Sequence, residues 1–259
     1  MLDDHYGPEF YSRQIEGSAR SARVILQLLY DWYRPLSVVD VGCGRGSWLA
    51  TAESLGSVKL KGLDGTWAEK AGLLSKNIDF APVDFENDVE IAEHYDLCIS
   101  VEVAEHLSEA RAKRFIDTLC KSSDVVLFSA AIKQQGGTHH VNEQWQSYWI
   151  SLFDANGYEC FDILRPAIWK NAEVDWWYRQ NIFLFVRRGS TRANLAAARS
   201  MVVPIADIVH PENFEHKIRS HKQMVQRMLQ YPSLAFCLRC MKRYVAVKLE
   251  RLTRPASET

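Results

Sequence analysis

The 259-residue sequence predicts a doubly wound α/β sheet followed by a helical extension. Three features point there. Short apolar runs alternate with amphipathic stretches from about residue 15 to residue 130. The first strand-like run closes on the glycines Gly42, Gly44 and Gly46. Beyond Gly189 the alternation gives way to basic residues interleaved with apolar ones at helical spacing.

Element by element, residues 1–14 are polar and aromatic, and Gly7-Pro8 is expected to break any regular structure. The spacing of Ala22, Val24, Ile25, Leu28, Leu29 and Trp32 predicts a helix from Ile15 that Pro35 stops. Ser37–Val41 reads as a buried parallel strand. There follow a helix at Leu49–Leu55, a strand at Val58–Leu63, a helix at Trp67–Ser75, a strand at Phe80–Val83 and a helical stretch around Val89–Glu93. Next come a strand at Asp96–Val101, a long amphipathic helix over Ala104–Cys120 and a strand at Val125–Ser129. Residues 131–142 form a polar loop, and Glu143–Asn156 a helix closed by Gly157, where a left-handed cap is expected. Trp145, Tyr148 and Trp149 share helical spacing and are expected in the core. Two last strands, Tyr158–Leu164 and Asn181–Arg187, flank an aromatic loop at 165–180. The predicted organisation is a helical segment (1–34), a sheet domain (35–190) and a basic helical extension (191–259), with no internal repeat.

Composition excludes several classes. With 47% hydrophobic and 24% charged residues, the chain is neither disordered nor collagen-like, and its length allows a full core without metal or disulfide support. The six cysteines are scattered, and the lone Cys237-x-x-Cys240 pair has no second pair to complete a zinc site. The first thirty residues lack a basic segment followed by an apolar core, and no run reaches the roughly 18 apolar residues that span a bilayer. A cytoplasmic, soluble protein is expected.

The sharpest signal is Val39-Asp40-Val41-Gly42-Cys43-Gly44-Arg45-Gly46-Ser47-Trp48. Glycines here let the backbone approach a ligand closely, and the free N–H groups at a helix start favour a carboxylate or phosphate. A dinucleotide fingerprint would space them G-x-G-x-x-G, whereas here they run G-x-G-x-G with an acid two residues before the first. An NAD-dependent enzyme is disfavoured by that spacing and by the lack of a second nucleotide-binding half. Asp64 closes the second strand 24 residues after Asp40, suited to accept from both hydroxyls of a ribose.

The Asp-x-Gly-x-Gly-x-Gly pattern resembles motif I of the class I S-adenosylmethionine-dependent methyltransferases. The resemblance covers roughly residues 15–188. It implies a Rossmann-like sheet, mostly parallel with an antiparallel last strand, and S-adenosylmethionine as cofactor. The implied cofactor residues are Asp40, Gly42, Gly44, Gly46, Asp64, Asp84 and Phe85 at the end of the third strand, and Ser100 in a fourth strand that resembles motif IV.

Methyl transfer from a sulfonium needs alignment of nucleophile, methyl and sulfur, and removal of a proton when the acceptor is a hydroxyl. Two clusters could serve. Glu102-Val103-Ala104-Glu105-His106 follows the fourth strand and, if helical, would set Glu105 and His106 on a face with Glu102. Gly136-Gly137-Thr138-His139-His140 follows the fifth. Both loops open at the carboxyl edge of the sheet. His139 or His140 is the expected general base. The Glu-x-x-Glu-His run also resembles that of ubiquinone-biosynthesis O-methyltransferases. It resembles as well the small-RNA 2′-O-methyltransferases, where with a later His it binds a divalent metal. By that resemblance Glu102, Glu105, His106 and His140 could hold Mg²⁺, Mn²⁺ or Zn²⁺.

Trp169, Trp176, Trp177, Tyr178 and Arg179 lie before the last strand, and such aromatic faces beside polar groups suit a sugar ring or a base. The stretches Gly136–Trp145 and Trp176–Asn181 resemble bacterial methyltransferases of surface-polysaccharide and glycan biosynthesis. O-methylation of a sugar or glycan hydroxyl is therefore the expected function. A metal-dependent RNA 2′-O-methyltransferase and a degenerate fold serving as a binding subunit are its rivals, and the intact glycines and Asp64 argue against the latter.

Residues 217–254 carry ten Lys/Arg against one acid, Glu250. A solvated helical face, contact with the inner membrane surface through anionic lipids, and RNA binding all fit such a stretch. The core itself shows no basic excess, which counts against a large nucleic acid as partner.

Overall fold

The computed structural model describes residues 8–87, 89–190 and 206–253. Seven strands form one sheet: β1 (Ser37–Val41), β2 (Lys59–Asp64), β3 (Ile78–Pro82), β4 (Leu97–Val101), β5 (Val125–Ser129), β6 (Tyr158–Phe161) and β7 (Phe183–Arg187). Their order is β3-β2-β1-β4-β5-β7-β6. Neighbours from β3 to β5 are parallel, whereas β7 runs antiparallel to both β5 and β6. The resemblance-based expectation of an antiparallel last strand holds.

Every residue of β4 and β5 is buried, as two covered faces demand. Consecutive side chains point to opposite sides, so Val38, Ile99 and Leu127 enter one core and Val39, Cys98 and Val126 the other. Over the first face lie α1 (Pro8–Trp32), α2 (Ser47–Ser54), α6 (Leu164–Ile168) and α7 (Trp176–Asn181), through Ile25, Leu29, Leu49, Ile168 and Tyr178. Over the second lie α4 (Glu109–Ser122) and α5 (Gln146–Ala155), through Phe115, Ile116, Leu119, Trp149 and Phe153. The short α3 (Thr66–Lys70) follows β2, and α8 (Pro211–Gln230) and α9 (Leu234–Thr253) end the described chain. Strand order reverses between β1 and β4, and their carboxyl ends open the crevice where ligands sit in open α/β sheets.

Several elements differ from the sequence expectation. Pro8 starts α1 rather than breaking it, because a first-turn proline lacks only an N–H that has no helical partner. Helix α3 stops at Lys70, short of Ser75, with Gly72 at φ +82°. No helix forms over Val89–Glu93. The long helix expected at Ala104–Cys120 is split into a 3-10 turn, Ala104–His106, and α4, which opens after Ser108. The aromatic loop contains α6 and α7. Trp149 is buried as expected, but Trp145 is exposed. All six cysteines are free. Among the described residues no helix is long and apolar enough to cross a membrane.

The chain divides into two compact units, Met1–Asn213 and Phe214–Thr259. Residues 206–213 therefore belong with the sheet, later than the boundary expected at 190. They are tied there by polar bonds: Asp207 accepts from the Ser147 backbone N–H (2.8 Å) and hydroxyl (2.9 Å) at the start of α5, and Arg165 donates to the Ala206 carbonyl (3.0 Å). Arg165 is buried with Asp162, and its guanidinium also lies over the Phe183 ring. Asp162→Ala leaves that cation without its counter-charge and is expected to cost about 3–5 kcal/mol in urea unfolding. Asp207→Ala, the loss of a helix cap, is expected to cost about 1 kcal/mol.

Candidate active site

The turn after β1 is built from left-handed backbone: Gly42, Gly44 and Gly46 have φ of +88°, +53° and +82°. At Gly42 a side chain would also collide with Val103, whose Cγ2 would stand 2.3 Å from the added Cβ. Asp64 holds the loop in shape. Its two carboxylate oxygens accept from the Gly44 and Gly65 N–H groups, each at 2.7 Å. Burial raises its pKa, and those two N–H groups and Trp67 oppose the rise. Each oxygen keeps a further lone pair for a ligand hydroxyl.

Beside it, Asp40 is almost fully buried, and neither of its carboxylate oxygens has a hydrogen-bond partner. Burial first, and then repulsion from Asp64, push its pKa well above the usual carboxylate range. A buried carboxylate without donors is costly, and it fits a site that receives a cationic group. The Ser100 hydroxyl and the Trp48 indole N–H are likewise buried and unpartnered. Trp67, which the sequence reading did not single out, lies across this mouth. Its ring would meet a Cβ on Gly65 at 2.8 Å and one on Gly44 at 3.9 Å, yet the residue is 56% exposed. Its only sequence signal is a large aromatic three places after the acid that closes β2.

At the end of β4 the chain turns sharply. Glu102 has φ +55°, with its N–H donating to the Ser129 carbonyl (3.0 Å), so the run is not helical from Glu102 as expected. Among the described residues only Glu102, Gln134 and His139 combine a side chain with positive φ, and all three sit in the loops after β4 and β5. Glu102 is gripped by amides: Asn181 donates to Oε1 (3.2 Å) and Gln135 to Oε2 (3.4 Å). Gln135 Oε1 in turn accepts from Gln180 (2.9 Å) and Asn181 (3.0 Å), and Gln180 Oε1 accepts from the His210 N–H (2.9 Å) and Asn213 (3.0 Å). Of these four amide residues, Gln180 and Asn181 lie in the Trp176–Asn181 stretch noted from the sequence, whereas Gln135 and Asn213 were given no role there.

Glu105 is wholly buried, and neither oxygen meets a hydrogen-bond donor in ordinary geometry. Burial and then the Glu102 charge raise its pKa well above normal, and burial raises that of Glu102 as well. The Glu105 carbonyl accepts from the N–H groups of Val141 (2.9 Å) and Asn142 (3.0 Å), which brings the second loop alongside. Glu105, His106 and His140 thereby present ligand atoms within 4.8 Å of one another. The two imidazoles meet edge to face at 4.8 Å between centroids. Burial, then His140, lowers the His106 pKa, which favours a neutral ring with a free lone pair. His140 Nδ1 lies 3.0 Å from Glu143 Oε1, so with Nδ1–H donating, Nε2 keeps its lone pair. Gly137 leaves room for that ring, since a Cβ there would fall 2.3 Å from His140 Nε2.

Protein-family models give no match to the chain. Among curated proteins, a ubiquinone biosynthesis O-methyltransferase of Methylobacterium sp. (strain 4-46) is 32% identical over 94 residues, covering 33% of this chain and 35% of that protein. The chain thus matches about a third of the curated relative's length. Among solved structures, magnesium protoporphyrin IX methyltransferase (ChlM) from Synechocystis PCC 6803 with bound SAH gives a TM-score of 0.51 at 18% identity, over 71% of this chain and 90% of that one. Human N-acetylserotonin methyltransferase (ASMT) in complex with SAM gives 0.50 at 15% identity, over 69% and 54%. The chain has the class I methyltransferase fold.

Within this methyltransferase fold the remaining expected site residues are placed unevenly. Asp84 is exposed and caps its own turn, accepting from the Glu86 N–H (3.0 Å) and Asn87 side chain (2.8 Å). Phe85 turns into the second core and packs on Phe115, away from the glycine loop. Expected beside the cofactor, it is half-buried and packs against the core that α4 covers. His139 is exposed and outside the cluster of ligand atoms. Tyr178 and Arg179 lie in α7 rather than in an open loop and are buried. Tyr178 stacks edge-on against Trp48, and Arg179 donates to Glu212 (2.7 Å) and the Trp169 carbonyl (3.3 Å). Both are buried in this structure, and the Arg179 Nε has no hydrogen-bond partner. Trp169, Trp176 and Trp177 are partly exposed.

The strained state of Asp40 has a measurable sign. Its folded pKa lies above the unfolded value of about 4, so ionisation above that pH disfavours the fold. Without ligand, Asp40→Asn is expected to match wild type in thermal midpoint at about pH 4 and to exceed it increasingly toward neutral pH. A pH-independent offset between the two melting curves would contradict this origin.

Proposed function

We propose that the protein is an S-adenosylmethionine-dependent O-methyltransferase that modifies a sugar or glycan hydroxyl. One observation carries the reading: two buried, donor-poor carboxylates, Asp40 and Glu105, stand at the adjacent carboxyl ends of β1 and β4, one beside the glycine turn and the other beside two imidazoles. The fold neighbours with bound SAH or SAM and the O-methyltransferase name of the curated relative support it.

In this reading Asp40 faces the ammonium end of the cofactor, Gly42, Gly44 and Gly46 admit it against bare backbone, and Asp64 accepts from the ribose hydroxyls. The cofactor supplies a methyl already activated on a sulfonium. Trp67 shields the nucleoside from water. The acceptor hydroxyl meets the Glu105–His106–His140 cluster. Those three residues fit a divalent cation, which would lower the pKa of a hydroxyl bound to it. The unpartnered oxygens of Glu105, which a bound cation would satisfy and hold ionised, favour that seat over a lone histidine base. Glu102, held by Asn181 and Gln135, positions Glu105 from behind, and Glu143 orients His140. The partly exposed Trp176 and Trp177 stand one turn up α7 from Asn181, where a sugar face can stack.

Calorimetry with S-adenosylmethionine comes first, and absence of binding at millimolar cofactor would sink the whole reading. His140→Ala is then expected to keep cofactor affinity while losing about 10²–10⁴-fold in turnover. Chelation is expected to abolish methyl transfer, with Mg²⁺, Mn²⁺ or Zn²⁺ restoring it. Full activity in chelator would leave His140 as the general base. Labelled methyl transfer to sugar nucleotides and oligosaccharides, but not to RNA 3′ ends, is expected; the reverse result would replace the acceptor class.

A further inference from the structure

The unit Phe214–Thr259 plays no part in the site described above. Within it, α8 carries Phe214, Ile218, Val225 and Leu229 at helical spacing, and α9 carries Leu234, Leu238, Met241 and Val245. All eight are exposed, several by half or more. On a helical projection of 100° per residue, Lys217 and Lys222 fall on either side of the first stripe, and Lys242 and Lys248 on either side of the second. Met228 of α8 and Phe236, Cys240, Tyr244 and Val247 of α9 line a groove of about 680 Å³, together with Arg239 and Arg243.

We propose that these two consecutive helices dock on an anionic lipid bilayer surface, with their aliphatic stripes in the headgroup–acyl boundary and their lysines among the lipid phosphates. Charge selects the occupant. Residues 217–254 hold ten cations and one acid, whereas the rest of the chain holds 21 cations against 31 acids. A second copy would bring another ten cations against these ten, and like charges repel. Nucleic acid is attracted by the charge but reads through stacking aromatics, and the stripes are mainly aliphatic. Leucine, methionine and valine flanked by lysines whose stems can snorkel match a lipid interface instead. On the same projection the groove residues of α9 fall opposite its aliphatic stripe, so the bilayer contact is made by the stripe and its flanking lysines and not by the groove.

Co-sedimentation of the full chain with large vesicles tests this. Binding is expected to vesicles of equal parts phosphatidylcholine and phosphatidylglycerol, not to phosphatidylcholine alone, and is expected to fall steeply at high salt. Lys242→Glu with Lys248→Glu is expected to weaken partitioning about tenfold or more, as is Leu238→Asp with Met241→Asp. Unchanged circular dichroism and cofactor affinity would show that the sheet domain is intact in both variants. Equal binding to neutral and anionic vesicles would overturn the proposal. So would a failure to bind vesicles, whether the chain then dimerised in sedimentation velocity or retained a single-stranded RNA.

Discussion

The structure turns on the burial of carboxylates at one edge of the sheet with too few donors to satisfy them. Asp40 and Glu105 have unpartnered oxygens, and Glu102 is held by two long amide contacts. Each such group costs several kcal/mol if ionised, which is why all three titrate above the usual carboxylate range. A fold tolerates this only where the surroundings over-determine the backbone. Here the two faces of the sheet supply that rigidity, through tightly packed groups such as Phe153 stacked on Phe185 at 3.7 Å. The donor-poor edge is thus stored strain that a cationic ligand can relieve.

The amide network explains how that strain stays local. Gln135 in the loop after β5, Gln180 and Asn181 in α7, and Asn213 at the return of the chain are bonded through consecutive side chains, and the His210 backbone N–H donates to Gln180. Three segments far apart in sequence are locked against Glu102 in one register. Gln146 joins them by donating to the carbonyls of Gln180 (3.4 Å) and Ile208 (2.9 Å). With the loops fixed, Glu102, Gln134 and His139 keep backbone angles that a free loop would relax.

What could be read from the sequence follows the range of the interaction. The glycine turn and Asp64 were legible because their meaning is local: strand, turn, helix, then an acid closing the next strand. The sheet was legible from alternation, and β5 was delimited to the residue. The amide network was not, because Gln135 and Gln180 are 45 residues apart and nothing in either segment names its partner. The burial of Arg179 and Tyr178 was hidden for the same reason. A polar or aromatic residue in a predicted loop looks available until Glu212 and Trp48 are seen to claim it. Phe85 illustrates the converse, an aromatic beside a cofactor strand whose ring finds Phe115 instead. The cap of α5 by Asp207 lies 60 residues from the helix it starts, beyond any local rule.

Charge shows a further limit of whole-chain description. A net charge of −1 suggests a neutral protein, yet it sums an acidic sheet unit and a strongly basic pair of helices. The acidic unit disfavours a polyanion lying across its surface, and under the proposals above a phosphate-rich partner would meet the basic helices and not the crevice. The cluster at Glu105 then has a selective consequence. A divalent ion there would place positive charge beside carboxyls that burial makes hard to ionise, and would favour an acceptor that carries negative charge.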